Sequence, residues 1–362
     1  MSNILVTLLA LGLASSVKGG CIGEISSLDD VPTAQTCSTV NINSFTVPPG
    51  VGFTLNLTNG ATVNLNGNVL FGNMSWSGPL FTVSGDNITF NGNGNIFDGG
   101  GPFYWDGLGG NGGVEKPAPM MKIKISGTYS NVVVLNSPER AYSVSNPGPL
   151  VMRNLIVDDS QGDVPNAQSN GLPAGHNTDG FDVSTTNLVI QDSLVHNQDD
   201  CLAVNRGSNI VFTRNTCING HGISIGSIAS NVTVDGVIIS NNIIIDNDQA
   251  LRIKADATSI GSIVTNITYS GNIAIGMRMF GILIDQSYPD TLGVPGNGVI
   301  ISDINFISPQ TVIEVDSGAD QIAINCGIGS CEGLWNFADL SVIGGIEGPI
   351  NNFTGVEGFT QT

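Results

Sequence analysis

The chain has 362 residues, of which only 11% are charged, with 48 glycines and a formal net charge of -19. That charge excludes a nucleic-acid partner, whose phosphates demand a basic footprint. Helix-favouring residues are sparse, while Gly, Asn, Ser, Thr, Val and Ile recur in short bursts. The mixture points to an all-β chain of short strands and tight turns, which at this length still forms a single domain.

The first element is an apolar run from Ile4 to Ala14. It is too short to cross a bilayer as a helix, which takes roughly 20 residues. Small residues follow at Ser15, Ser16, Gly19 and Gly20, so residues 1–20 read as a secretory signal peptide cleaved just before Cys21. The one departure is the absence of Lys or Arg ahead of the run. No second long apolar segment exists, so the expectation for residues 21–362 is one secreted, extracellular, soluble domain with no membrane contact, acting as a monomer.

Six cysteines fit an exported protein. Sequential pairing is expected because the partners lie close along the chain: Cys21 with Cys37, Cys201 with Cys217, Cys326 with Cys331. A zinc site is disfavoured, since no C-x-x-C spacing occurs. Residues 21–37 would then form a small N-terminal cap over an otherwise open strand edge. Sequons at Asn56, Asn73, Asn87, Asn231, Asn266 and Asn352 suit a eukaryotic secretory route and a glycoprotein.

Further along, the chain repeats itself. Asn followed by alternating apolar residues begins at Asn187, Asn209 and Asn231, 22 residues apart each time. Related phrases start at Asn87, Asn131, Asn154 and Asn266. A second phrase interleaves with it: Ala141-Tyr-Ser-Val, Gly180-Phe-Asp-Val, Cys201-Leu-Ala-Val, Gly222-Ile-Ser-Ile, Ala250-Leu-Arg-Ile and Gly281-Ile-Leu-Ile. Short strands at this period with Gly and Asn at the corners predict a parallel β-helix. A β-sandwich has similar alternation, and Asn59-Gly60, Asn66-Gly67 and Asn219-Gly220 could turn hairpins, but hairpins do not hold a fixed register. In the β-helix, Phe181, Leu202, Ile223, Leu251 and Ile282 stack inward, as do Val183, Val204, Ile225, Ile253 and Ile284. Their neighbours, among them Asp182, Ala203, Ser224, Arg252 and Lys254, point outward.

The register singles out a site. Asp179, Asp200 and His221 precede successive phrases at 21-residue intervals, which places them in one vertical row about 4.8 Å apart, with Asp199 alongside. Arg252 and Lys254 face outward further along the same sheet. Crowded carboxylates push one member to a raised pKa, so one can stay a general acid while its neighbours remain ionised. Glycoside hydrolysis needs that division of labour. Each part also has a plain reading: a turn-capping Asp179, a calcium-binding Asp199-Asp200 pair, a structural His221, a solvated Arg252-x-Lys254 face. The coincidence of all four in one register favours the catalytic reading.

The same residues resemble the motifs of the fungal polygalacturonases, pectin-cleaving glycoside hydrolases: Asn177-Thr-Asp179-Gly, Gln198-Asp199-Asp200-Cys, Gly220-His221-Gly222 and Arg252-Ile-Lys254, in that order. Gln286-Ser-Tyr288, Phe97-Asp-Gly, Tyr104-Trp-Asp and the last cysteine pair extend the likeness over the chain after residue 20. The resemblance implies a right-handed β-helix without a cofactor or metal, hydrolysing polygalacturonate internally with inversion. It implies Asp199 as proton donor, Asp179 and Asp200 as positioners and activators of water, and His221 as support for the acid's protonation state. Arg252, Lys254 and Tyr288 would bind galacturonate, and Asn177 would shape its turn. Ten Lys and Arg remain after residue 20; two of them in this row would reconcile an acidic protein with a polyanionic substrate. The rung spacing alone would indicate retention instead of inversion. Exo-cleavage, rhamnogalacturonan hydrolysis, calcium-dependent pectate lysis and non-catalytic cell-wall binding are the alternative readings.

Overall fold

The computed structural model describes residues 20–362; the signal-peptide reading falls outside them, apart from Gly20. Among the described residues thirty strands join one sheet, and every strand pairing there is parallel, for example Tyr142–Val144 on Phe181–Gln191 and the latter on Leu202–Thr213. Parallel pairing throughout excludes the hairpins of a sandwich. The chain coils so that each turn lays its strands on those of the turn before.

The inward stack follows the alternation in the sequence. Tyr142, Phe181, Leu202, Ile223, Leu251, Ile282 and Ile322 succeed one another in hydrogen-bonded register, each at most 2% exposed. Burying such a side chain stabilises by about 1.5–3 kcal/mol, and the core repeats the gain rung after rung. Tyr142 and Phe181 stack at 5.1 Å, and the column continues toward the N-terminus through Met121, Phe81 and Phe53, the last two meeting edge-on at 5.1 Å. A short helical turn, Val31–Ala34, buries Val31 and Ala34 beside the first strand, Ile22–Ile25. The sulfurs of Cys21–Cys37, Cys201–Cys217 and Cys326–Cys331 are paired. Among the described residues no helix is long and apolar enough to cross a membrane.

The Asn-led phrase resolves into two corners of the coil. Asn187, Asn209, Gly236, Asn266 and Asp303 occupy one, as the pairings of the residues that follow them show. Asn131, Asn154, Asp192, Arg214, Asn241 and Gly271 occupy another. All eleven have positive φ, between 53° and 72°, a region that Gly and Asn tolerate best. Asn231 belongs to neither corner: Gly236, not Asn231, follows Asn209, because extra residues after Ile228 lengthen that rung. The second phrase keeps its register throughout, and that phrase carries the site.

The outward neighbours are less open than alternation suggests. Ser224 is fully buried, and Ala203, Lys254 and Asp285 are nearly so. Loops fold back over this face. The carboxylate of Asp285 accepts a hydrogen bond from Leu292 N at 2.7 Å, and Gly110 N reaches across to Asn177 Oδ1 at 3.1 Å. The face is therefore the floor of a cleft.

Candidate active site

The turn that carries the acids is built by buried side chains. Asn197 Nδ2 donates to Thr178 O at 2.8 Å and to Asp200 O at 3.0 Å, binding two successive turns together. Gly180 N donates to Asp200 O at 2.8 Å and His221 N to Asp199 O at 2.7 Å. Gly222 has φ 80°, and a β-carbon there would collide with the backbone of Gln249, so only glycine lets His221 enter at this height.

The backbone positions of Asp179, Asp200 and His221 form the expected row, but their side chains divide into two groups. Asp200 is fully buried and serves as the anchor of the cations. Its Oδ1 accepts from Ser224 Oγ at 2.8 Å and from Arg252 Nη2, and its Oδ2 accepts from Lys254 Nζ at 2.6 Å. Arg252 Nε also donates to Ser224 Oγ at 3.0 Å, and Lys254 Nζ lies 5.1 Å from the centre of the Tyr288 ring. Asp199 forms the other group. Its Oδ1 meets His221 Nδ1 at 3.0 Å and Asp200 N at 2.7 Å, and its Oδ2 accepts from Asn177 Nδ2 at 3.0 Å. Asn177 thus both occupies a left-handed corner, with φ 52°, and touches the carboxylate; the sequence suggested only the first.

Burial disfavours ionised Asp199, but His221, and behind it Lys254 and Arg252, outweigh that cost and hold the carboxyl below the usual range. Burial likewise disfavours charged His221, yet Asp199 and then Asp200 raise it above the ordinary imidazole value. Asp179 has no such support. Burial, then the charges of Asp199, Asp182 and Asp200, push it well above the usual carboxylate range. Asp182, one residue into the next strand, is pushed by burial up to about 6 against the pull of Arg140. These surroundings therefore favour the protonated form of Asp179 over that of Asp199, whereas the resemblance names Asp199 as donor.

A hollow of about 520 Å³ opens over Asp179, Asp182, Asp199, Lys254, Tyr288 and Arg140. A second, of about 730 Å³, is lined by His221 with Asp163, His176, His196, Asp248 and Arg278. The bonded pair Asp199–His221 stands at their junction. On the far side of the imidazole, His221 Nε2 lies 3.5 Å from Asp248 Oδ2, and Asp248 Oδ1 accepts from Arg278 Nε at 2.8 Å. Sequence reasoning missed Arg140, Asp182, Asp248 and Arg278 as site residues. Arg140 was within reach, since it holds the row position one rung before Asp179.

Ligand atoms of Asp199, Asp200 and His221 lie within 4.8 Å of one another, a grouping compatible with a cation. The negative charge, however, is already met by Arg252, Lys254 and His221. A divalent ion placed there would face three positive groups, so the donor set fits a metal poorly.

Comparison with known proteins identifies the family. The family model for glycosyl hydrolases family 28 matches residues 37–360. Endopolygalacturonase I of Aspergillus aculeatus is 39% identical over 316 residues, covering 86% of this chain and 80% of its own length. A polygalacturonase of Penicillium griseoroseum is 37% identical, covering 89% and 85%. The solved structure of endopolygalacturonase I from Stereum purpureum, complexed with two galacturonates, superposes with a TM-score of 0.86 and 45% identity, covering 91% of this chain and 96% of that one. A polygalacturonase from Erwinia carotovora, 19% identical with a TM-score of 0.61, shares the fold. The coil is the right-handed parallel β-helix of these enzymes, and a match running from the first rungs to the last few residues places this chain in glycosyl hydrolases family 28.

Proposed function

We propose that this chain is a secreted, monomeric endopolygalacturonase, which hydrolyses internal α-1,4-galacturonosidic bonds of pectin with inversion at the anomeric carbon and without a cofactor. The observation that carries the reading is the Asp199–His221 pair at the junction of two hollows, with Asp179 and two cations beside it. A site flanked by space on both sides accommodates a polymer that continues in both directions.

Arg252 and Lys254 bind the carboxylate of a galacturonate, with Tyr288 beside Lys254. As they turn toward it, their hold on Asp200 loosens and the positive charge acting on Asp199 is shared with the substrate. The cluster's proton then passes from Asp179 to Asp199, and losing the Asp199 charge lets Asp179 ionise. Asp199 protonates the glycosidic oxygen, kept strongly acidic by the imidazolium of His221. The bond from that oxygen to the anomeric carbon breaks, and water attacks the carbon from the opposite face. Asp179 takes that water's proton, and Asp200, its cations partly turned away, helps to orient the water.

Paired measurements of viscosity and reducing ends on de-esterified polygalacturonate test the reading. A steep viscosity fall after few bonds are cut is expected. A slow fall proportional to reducing ends would mean exo-cleavage. A chelator-sensitive, ultraviolet-absorbing unsaturated product would mean elimination, and binding without cleavage a non-catalytic role.

A further inference from the structure

The acid row is bracketed by cations at both ends. Arg252 and Lys254 close it on the C-terminal side. On the N-terminal side, Tyr142 pairs with Phe181 and Ala141 N donates to Asp179 O at 2.8 Å, so Arg140 stands directly below Asp179. Its side chain is 45% exposed and lines the same hollow as Asp179, Asp199, Lys254 and Tyr288. It meets Glu139 Oε1 at 3.0 Å and, loosely, Asp182 Oδ2 at 3.9 Å. Those two contacts use a fraction of the N–H donors of a guanidinium.

We propose that Arg140 forms a second carboxylate-binding subsite, which takes the uronate of a different sugar residue from the one held by Arg252 and Lys254. The inference rests on the polygalacturonate reading and deepens it. Asp182, beside Arg140, is separated from Arg252 by three rungs, through Ala203 and Ser224, or about 14 Å at the usual strand spacing. The strands that carry the two cation groups therefore stand farther apart than one sugar spans. Asp182 and Glu139 would repel an acidic chain entering this end of the cleft, and Arg140 is the group there able to offset them. Asp182 loses its charge below about pH 6, which frees Arg140 from one partner under acidic conditions. The subsite therefore selects a free acid over a methyl ester, since an ester offers no charge for the guanidinium and leaves the two acids unanswered.

The test compares the intact wild-type enzyme with Arg140→Gln and Arg140→Lys on polygalacturonate and on the same polymer partly methyl-esterified. Arg140→Gln is expected to raise KM for polygalacturonate about tenfold, more than it lowers kcat, and to erase much of the preference for the unesterified polymer. Arg140→Lys should recover part of both, since it restores charge without the fork. Wild-type KM and an unchanged ester preference in Arg140→Gln would overturn the proposal. So would an equal loss on both polymers that lysine does not relieve, which marks a structural role. A wild-type enzyme that fails to cleave polygalacturonate at all would sink the functional reading itself, a result separate from either.

Discussion

Asp200 is a buried anion that answers two buried cations, and replacing it by Asn tests that arrangement without changing its shape. Asn can still accept from Ser224, but Arg252 and Lys254 lose their counter-charge while their side chains remain only 13% and 10% exposed. Removing one partner of a buried ion pair costs about 3–5 kcal/mol, because the other charge is left unpaired and poorly solvated. Two effects pull the value toward the lower end: both cations can swing partway into the cleft, and relief of repulsion on Asp179 and Asp182 returns something. Asp200→Asn is therefore expected to lower stability by about 3 kcal/mol at neutral pH, read by guanidinium unfolding followed through tryptophan fluorescence. Adding Lys254→Met should cost much less than the sum of the two single changes, since the second substitution removes a charge already orphaned. A single variant within about 0.5 kcal/mol of wild type, the range of an ordinary surface change, would refute the buried-pair account.

Two further outcomes follow from the same geometry. Asp248→Asn removes a carboxylate 3.5 Å from His221 Nε2 while leaving Asp199, Asp200 and Arg252 around the ring; losing an anion lowers the imidazole pKa, so the alkaline limb of kcat/KM should move to lower pH, and an unmoved limb in the pH profile would remove Asp248 from the site. Proton NMR of the first product from an α-linked substrate should show the β-anomer, because water attacks opposite the departing oxygen; an initial α-anomer would mean retention.

Much of the site was legible because a β-helix converts sequence interval into height. Two 21-residue intervals put Asp179, Asp200 and His221 at one lateral position, and alternation alone separated buried Phe181, Leu202 and Ile223 from outward Asp182, Ala203 and Ser224. The Asn phrases misled where two corners share one chemical need: any left-handed corner recruits Asn, Asp or Gly, so Asn131 and Asn187 look alike without being equivalent. Side-chain direction was not legible. Asp199 and Asp200 are adjacent in sequence, yet one reaches His221 and Asn177 and the other Arg252 and Lys254. Contacts made across loops, such as Asn177 with Gly110 or His221 with Asp248 and Arg278, depend on how segments far apart in the chain fold onto the cleft, which no periodicity encodes.

The most direct test of the account is the rate of reducing-end release from polygalacturonate by Asp199→Asn, measured on protein whose circular dichroism and thermal melting confirm an intact fold. Loss of the general acid should lower kcat by about 10²–10⁴-fold with little change in KM. A variant that keeps a tenth or more of wild-type kcat would contradict the assignment of the proton to Asp199.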